Sequence, residues 1–304
     1  MNPVRGFLLT MVTVLMWASL PMAMKEVLQV LSPQTILACR FMVASGVLAA
    51  FLHHRGQLPT WQAVTAQPLW LVVGTLGLAV NFWLFSKALI YLTPAAAQVL
   101  GQLSPFMLLF AGVLFLKESL NRFQWLGVAL LAVGIALFFN RQWGALGGAQ
   151  GLGIVLNVAG SAVWVGYALA QKALQKTFST QQVLFVFYSG CMLLTVPLAH
   201  WQELAGMNGY QWLCLAFCCA NTPIAYGAFA EALACWEVNK VSATLTLVPL
   251  FTIAFTEVAF WLWPAHFIAP DLNVLAYVGA ALAVSGALCA LQGKGWKIDA
   301  EKRN

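Results

Sequence analysis

Long apolar runs alternate with short polar connections along the whole chain. Each run is about 18 to 24 residues long, the length a helix needs to cross roughly 30 Å of hydrocarbon. The runs lie near residues 4–24, 34–52, 69–92, 95–116, 121–140, 150–171, 181–200, 210–234, 240–263 and 272–292. The pattern predicts an all-α polytopic membrane protein with ten transmembrane helices. We expect the first helix to be retained rather than cleaved as a signal peptide.

Composition supports the bilayer as the partner of this apolar surface. Hydrophobic residues make up 62% of the 304 residues and charged residues only 8%, whereas a soluble domain carries roughly 25% charge. The mean hydropathy is +0.83. The net charge is +6, but the sequence predicts neither a basic groove nor a soluble domain that could bind nucleic acid. We therefore expect no nucleic-acid partner.

The distribution of Lys and Arg predicts the orientation, because basic connections favour the cytoplasmic side. With the N-terminus inside, only Lys25 and Arg141 lie outside, and Arg40 and Lys87 fall within spans. The predicted inner set is Arg5, Arg55, Lys117, Arg122, Lys172, Lys176, Lys240, Lys294, Lys297, Lys302 and Arg303. Both termini are therefore predicted to be cytoplasmic.

The predicted halves 1–145 and 146–304 repeat one another, the second ending in a short cytoplasmic tail. Matched residues are Trp17 and Trp164, Lys25 and Lys172, Ser32 and Ser179, Gln34 and Gln181, Asn121 and Asn273, Gly127 and Gly279, and Gly134 and Gly286. In addition, Leu103-Ser104-Pro105 lies over Leu247-Val248-Pro249 at an offset of 144. Five spans per half make the second half enter the membrane from the other side. Such inverted repeats are common in secondary transporters.

Several segments resemble the EamA-type repeats of the drug/metabolite transporter superfamily. They are MWASLPMAMK, LSPQTILACRF, AVWVGYALAQKAL and residues 95–137. The family's first-repeat pattern is matched by Pro105, Glu118 and Gly127. The second repeat keeps Pro249 and Gly279 but has no corresponding Glu. The resemblance implies a ten-helix transporter of the bacterial inner membrane that moves amino acids, other metabolites or drugs, often outward.

Four ionisable residues lie within predicted spans: Arg40, Lys87, Glu231 and Glu257. Each costs roughly 2.5–3.5 kcal/mol to insert near a helix centre, so each is a functional candidate. We expect Glu257 to pair with Arg40 or Lys87. Glu231 is then the candidate for a proton or a cationic substrate group. Alternatively, Lys87 and Glu231 reach the headgroups, and Arg40 only ties helices together.

Aromatic and amide residues away from the helix ends are candidates to line a cavity. They are Trp17, Asn81, Gln98, Asn157, Trp164, Tyr167 and Tyr226. For the two Trp residues the alternative is tight packing at the repeat interface. With the four ionisable residues they form the predicted substrate-binding or gating set.

The chain lacks a nucleotide-binding P-loop, paired catalytic carboxylates and a metal-ligand cluster. We therefore expect no enzyme activity, no cofactor and no metal. The favoured function is secondary transport, namely export of small metabolites such as amino acids or amines by alternating access, with proton coupling. The rival functions are a channel or a structural membrane subunit, and, less favoured, a membrane-embedded enzyme. Small residues such as Gly127 permit close helix approach, and both a monomer and a homodimer stay open.

Overall fold

The computed structural model describes residues 3–116, 120–141, 148–264, 267 and 272–291. The helices are α1 (Pro3–Val27), α2 (Pro33–His54), α3 (Trp61–Thr65), α4 (Pro68–Tyr91), α5 (Pro94–Gly101), α6 (Leu103–Leu116), α7 (Arg122–Phe138), α8 (Ala149–Leu174), α9 (Thr180–Thr195), α10 (Gly209–Cys235), α11 (Val238–Leu245), α12 (Val248–Leu262) and α13 (Val274–Leu291). Two short 3-10 segments, Val196–Leu198 and Trp201–Gly206, join α9 to α10. Glu118, Lys117 and the basic tail lie outside the described residues.

The described residues confirm the all-α polytopic architecture. Nine segments in them have at least 18 residues and enough hydropathy to cross a membrane. The remaining predicted span corresponds to the shorter apolar helix Arg122–Phe138. Each of the ten predicted spans is therefore matched by apolar helix.

The predicted fourth and ninth spans are each broken nearer to their start than to their end, which the apolar pattern did not indicate. Gln102 separates α5 from α6, while Thr246 and Leu247 separate α11 from α12. Gln102 and Thr246 are 144 residues apart, and the Gln102 Nε2 donates to the Thr246 carbonyl oxygen at 3.4 Å. The two broken helices thus meet at equivalent points of the repeat.

Helix packing follows the repeat. The pair α1 and α10 corresponds to the pair α8 and α4, and both pack along their length. Two other pairs, α2 with α9 and α7 with α13, join equivalent helices of the two halves. In the first of these, the hydroxyls of Ser45 and Ser189, also 144 residues apart, lie 2.7 Å from each other. Contacts between equivalent residues are the mark of two halves related by a pseudo-two-fold axis.

The helices α7 and α13 approach so closely that only glycine fits at the contact. A Cβ atom on Gly134 would lie 2.6 Å from the Ala283 nitrogen, and one on Gly127 would lie 2.6 Å from the Gly286 carbonyl oxygen. The Gly residues noted in the sequence are therefore used for packing within the chain. Whether they also support a dimer stays a prediction.

The bundle has two faces, which we name by α1. The N face carries the start of α1 and the ends of α2, α8 and α10, and the opposite face carries the end of α1 and the segment Trp201–Gly206. The sequence predicts that the N face is cytoplasmic, and this orientation stays a prediction.

Candidate transport site

Arg40 is the buried charge at the centre of the candidate site. It lies on α2 with only 2% of its surface exposed. Its Nε and Nη2 atoms each donate to the Thr222 Oγ1 of α10 at 3.1 Å. Its guanidinium carbon lies 4.8 Å from the centroid of the Phe82 ring on α4. Arg40 therefore ties helices together, but no carboxylate among the described residues balances its charge.

Aromatic rings from five helices form a continuous chain beside Arg40. The ring centroids of Phe41 and Phe82 are 5.2 Å apart, and those of Phe41 and Tyr188 are 5.9 Å apart. Tyr188 contacts Tyr226 at 6.2 Å, and Tyr226 contacts Trp17 at 5.4 Å. Two of the predicted site residues, Trp17 and Tyr226, are thereby brought together with the surroundings of Arg40.

The other two predicted aromatic residues belong to a second branch of the same packing. Trp164 and Tyr167 lie on α8 with ring centroids 6.4 Å apart, and Tyr167 contacts Phe187 of α9 at 5.7 Å. All three pack in the cluster that also contains Tyr188. In the described conformation these rings serve as interhelical packing.

Two predicted amide residues are occupied by hydrogen bonds between helices. The Nδ2 of Asn81 on α4 donates to the Gly160 carbonyl of α8 at 2.9 Å. The Nδ2 of Asn157 on α8 donates to the Ala97 carbonyl of α5 at 3.3 Å. Both amides satisfy backbone groups, and their proposed part in gating is untested.

The middle of α1 is held by side chains from three other helices. Pro21 has no backbone N–H, so the carbonyl four residues before it is free to accept. The successive carbonyls of residues 16–18 accept from Asn221 at 2.6 Å, Gln98 at 2.9 Å and Thr252 at 3.0 Å. The predicted site residue Gln98 thus fixes α5 to the interrupted part of α1.

The expected pairing of Glu257 with Arg40 or Lys87 is not formed among the described residues. Glu257 instead accepts a hydrogen bond from the Tyr277 hydroxyl of α13. The pairing was predicted from depth in the bilayer alone. The partner of Glu257 also depends on which side of its helix the residue lies, and Glu257 faces α13.

Glu231, the candidate for a proton or a cationic substrate group, forms an ion pair with Arg5. Its Oε2 lies 3.3 Å from the Nη2 of Arg5, and the two side chains are 50% and 61% exposed. This ion pair joins α10 to α1 on the N face. Lys87, at the repeat position of Glu231, is half-buried on α4 and has no hydrogen bond to a described side chain. Lys87 and Glu231, which are 144 residues apart in sequence, therefore do not pair with each other.

On the opposite face, Lys25 closes the end of α1 onto α4. Its Nζ donates to the carbonyl oxygens of Leu89 and Leu92 at 3.2 and 2.6 Å. Leu89 lies in the last turn of α4 and Leu92 directly follows the helix, so both carbonyls are at the end where unpaired acceptors and the helix dipole favour a cation. The contact fixes the junction between α4 and α5.

A second contact on the opposite face, the Glu203 latch, consists of Glu203, Ser32 and Thr35. The Glu203 Oε2 accepts from the Ser32 N–H, the Ser32 hydroxyl and the Thr35 hydroxyl at 2.8, 2.9 and 2.9 Å. Burial raises the pKa of the Glu203 carboxyl, but these bonds and nearby His200 outweigh it, so the pKa lies below its ordinary value. The latch fastens the segment Trp201–Gly206 to the start of α2.

Acid is expected to open the Glu203 latch. Because the pKa is depressed in the folded protein, the stabilisation is complete above the ordinary carboxyl pKa and is lost as pH falls through the depressed value. Glu203→Gln removes the charge and should lower the free energy of unfolding by roughly 1 kcal/mol at pH 7. Melting in detergent across a pH series measures the difference in stability from the wild type, and this difference should vanish in acid.

The control is Glu237→Gln. Glu237 is in an exposed pair with Lys240, so this variant should change stability little at any pH. A pH-independent difference at Glu203 contradicts the latch.

Sequence reasoning missed the partners that define the site. Thr222, Tyr188 and Glu203 were not among the predicted residues, and Arg5 was assigned only to topology. One signal was present for Thr222: the polar triplet Asn221-Thr222-Pro223 interrupts an apolar run. The partners of Arg40 and Glu231 come from distant helices, so spacing along the chain does not reveal them.

Two inverted five-helix halves around a buried charge define the class of protein as a membrane transporter. The profile of the EamA-like transporter family matches residues 4–140 and, a second time, residues 151–292. The chain belongs to the EamA-like transporter family.

Similar proteins span nearly the full chain. A Haemophilus influenzae protein named as an uncharacterized transporter is 41% identical over 294 residues, 96% of each chain. The inner membrane transporter YhbE of Escherichia coli K12, also named as uncharacterized, is 41% identical over 298 residues, 93% of this chain and 90% of its own. A crystal structure covering 95% of this chain and 97% of its own has a TM-score of 0.62 at 20% identity. That likeness shows the fold alone.

Proposed function

We propose that this transporter exports a small metabolite, such as an amino acid or an amine, across the bacterial inner membrane by alternating access. The observation that carries the proposal is the presence of two equivalent helix pairs, one from each arrangement of the repeat, beside the helices that hold Arg40. The α1–α10 pair and the α8–α4 pair consist of equivalent helices, α1 corresponding to α8 and α10 to α4. If the two pairs exchange conformations, the central site opens first to one face and then to the other.

The present conformation supports closure on the opposite face. Lys25 fixes α1 to the end of α4, and the Glu203 latch fixes the start of α2. The repeat mate of Lys25 is Lys172, which is exposed on the N face. In the alternative conformation the end of α8 would close onto the end of α10, as α1 now closes onto α4.

Proton coupling is proposed for Glu231. Its carboxylate holds α10 to α1 through Arg5 on the face that must open and close. A proton on Glu231 removes the charge that binds Arg5, and this loosens the two helices where access is controlled. Because no nucleotide-binding motif is present in the sequence, a gradient is the energy source that fits.

Counterflow in proteoliposomes tests the proposal. Labelled amino acids and amines are presented to the wild type and to Glu231→Gln, with and without a pH gradient. We expect saturable exchange in both proteins, and acceleration by the pH gradient in the wild type alone. Glu237→Gln is the matched control, because Glu237 is on the same face but pairs locally with Lys240.

Two outcomes would contradict the proposal. Flux that rises with concentration without saturating indicates a channel rather than a carrier. A pH response in Glu231→Gln equal to that of the wild type removes Glu231 from the coupling step and leaves the carrier function intact.

A further inference from the structure

The charge of Arg40 is incompletely satisfied in this structure. A guanidinium group has five N–H donors, yet its hydrogen bonds to described residues all go to the single hydroxyl of Thr222. The Phe82 ring adds a contact through its face, but it brings no negative charge. Because an isolated buried charge is costly, a site of this kind is poised to accept an anion.

Polar atoms without partners lie in the same region. The hydroxyl of Tyr188 and the Oδ1 of Asn221 are buried and have no hydrogen-bond partner within the part of the chain that the structure describes. Tyr188 belongs to the aromatic chain that reaches Arg40 through Phe41 and Phe82. Asn221 directly precedes Thr222 on α10. The buried centre therefore holds one cation that no described carboxylate balances and one hydroxyl, that of Tyr188, that can donate to an anion. The Asn221 Oδ1 can only accept a hydrogen bond, so it does not itself favour an anion.

We infer that Arg40 binds the carboxylate of the transported substrate, and that this substrate is a carboxylate with an apolar body rather than an amine. The inference rests on the proposed transport function and narrows its substrate class. A carboxylate accepts two parallel hydrogen bonds from a guanidinium group and neutralises its charge, whereas an amine would add a second cation beside Arg40. The surrounding rings of Tyr226, Trp17 and Phe41 suit an apolar body.

The opposing interpretation is that Arg40 is only a strut between α2 and α10. If Arg40 is only a strut, its substitution should lower the stability of the protein whether or not a ligand is present. A carboxylate site would lose selective binding while the empty protein keeps its fold. The test must therefore separate ligand chemistry from stability.

Two matched sets of compounds provide that test. The first set is 4-methylpentanoate, leucine and isopentylamine. The second set is 3-phenylpropanoate, phenylalanine and phenethylamine. Each set keeps one apolar body and changes only the charged groups. Dissociation constants come from the melting temperature of the full-length protein in detergent at increasing ligand concentration. The variants are Arg40→Gln, which removes the charge, and Arg40→Lys, which keeps it but lacks the planar fork.

In the wild type we expect at least one carboxylate-bearing member of a set to bind, and neither amine. Arg40→Gln should abolish this binding, and Arg40→Lys should weaken it roughly tenfold to a hundredfold. If Arg40→Gln does not fold, Arg40→Lys alone decides, because it preserves the buried cation. Lys176→Gln, at an exposed lysine beyond the end of α8, should bind as the wild type does.

The inference is overturned if an amine binds and the carboxylates do not, if none of the carboxylates binds, or if Arg40→Lys binds them unchanged. Counterflow of the same compounds separates this result from the proposed function. Saturable exchange of an amine alone keeps the carrier and removes the carboxylate site. Carboxylate binding with a leak that does not saturate keeps the site and removes the carrier.

Discussion

Gly134→Leu should disrupt the pairing of α7 with α13 and leave little folded protein in detergent. A Cβ at this position would lie 2.6 Å from the Ala283 nitrogen and 2.7 Å from the Gly279 carbonyl oxygen. Both neighbours are backbone atoms, so no rotation of a side chain relieves the clash. Overpacking costs about 1–3 kcal/mol and occasionally more, and here the two helices must separate. Thermal melting with size-exclusion chromatography measures the loss.

The matched control is Gly46→Leu. Gly46 also lies within a membrane helix, and nothing lies within 4 Å of a Cβ built there. It should melt close to the wild type, because a leucine on α2 would meet only lipid or open space. Equal stability of Gly134→Leu and Gly46→Leu would contradict the close packing of α7 and α13.

Lys25→Met should slow exchange by about tenfold or more, because it removes two charged hydrogen bonds that close one face. The methionine keeps the apolar stem of the side chain but leaves the Leu89 and Leu92 carbonyls without this donor. The conformation closed on the opposite face then becomes less populated. Counterflow measures the rate, and hydrogen exchange of the backbone amides near residues 89–96 measures the loosening.

Lys176→Met is the control for Lys25→Met. It removes an equal charge from an exposed position and should alter neither exchange rate nor amide protection. If Lys25→Met speeds hydrogen exchange but leaves transport unchanged, the contact stabilises the fold without controlling access. If it changes neither measurement, Lys25 does not close this face.

The overall architecture could be predicted from sequence because the bilayer imposes a simple rule. Backbone polar groups in hydrocarbon must be satisfied within a helix, so apolar length alone locates the spans. The breaks at Gln102 and Thr246 each lie three residues before a proline of the repeat, Pro105 and Pro249. These prolines indicate an interruption, but the runs stay apolar on both sides, so hydropathy does not show that one helix ends and another begins.

The candidate site was predicted only in part, for a geometric reason. Hydropathy identified Arg40 and Glu231 as unusual charges within spans. It gave their depth but not the side of the helix on which they lie. Glu231 consequently meets Arg5, while Glu257 meets Tyr277. Such partners depend on how helices from different parts of the chain pack, and that is fixed by the tertiary structure.

The contacts between equivalent residues have a consequence for movement. Ser45 meets Ser189, and Gln102 meets the Thr246 carbonyl. In the proposed exchange of conformations, each half would take the place of the other, and a contact between equivalent residues would keep its position. The points where α2 meets α9 and where the two broken helices touch would then be stationary. They would form the pivot of the proposed movement, while contacts such as that of Lys25 with α4 would be made and broken in turn.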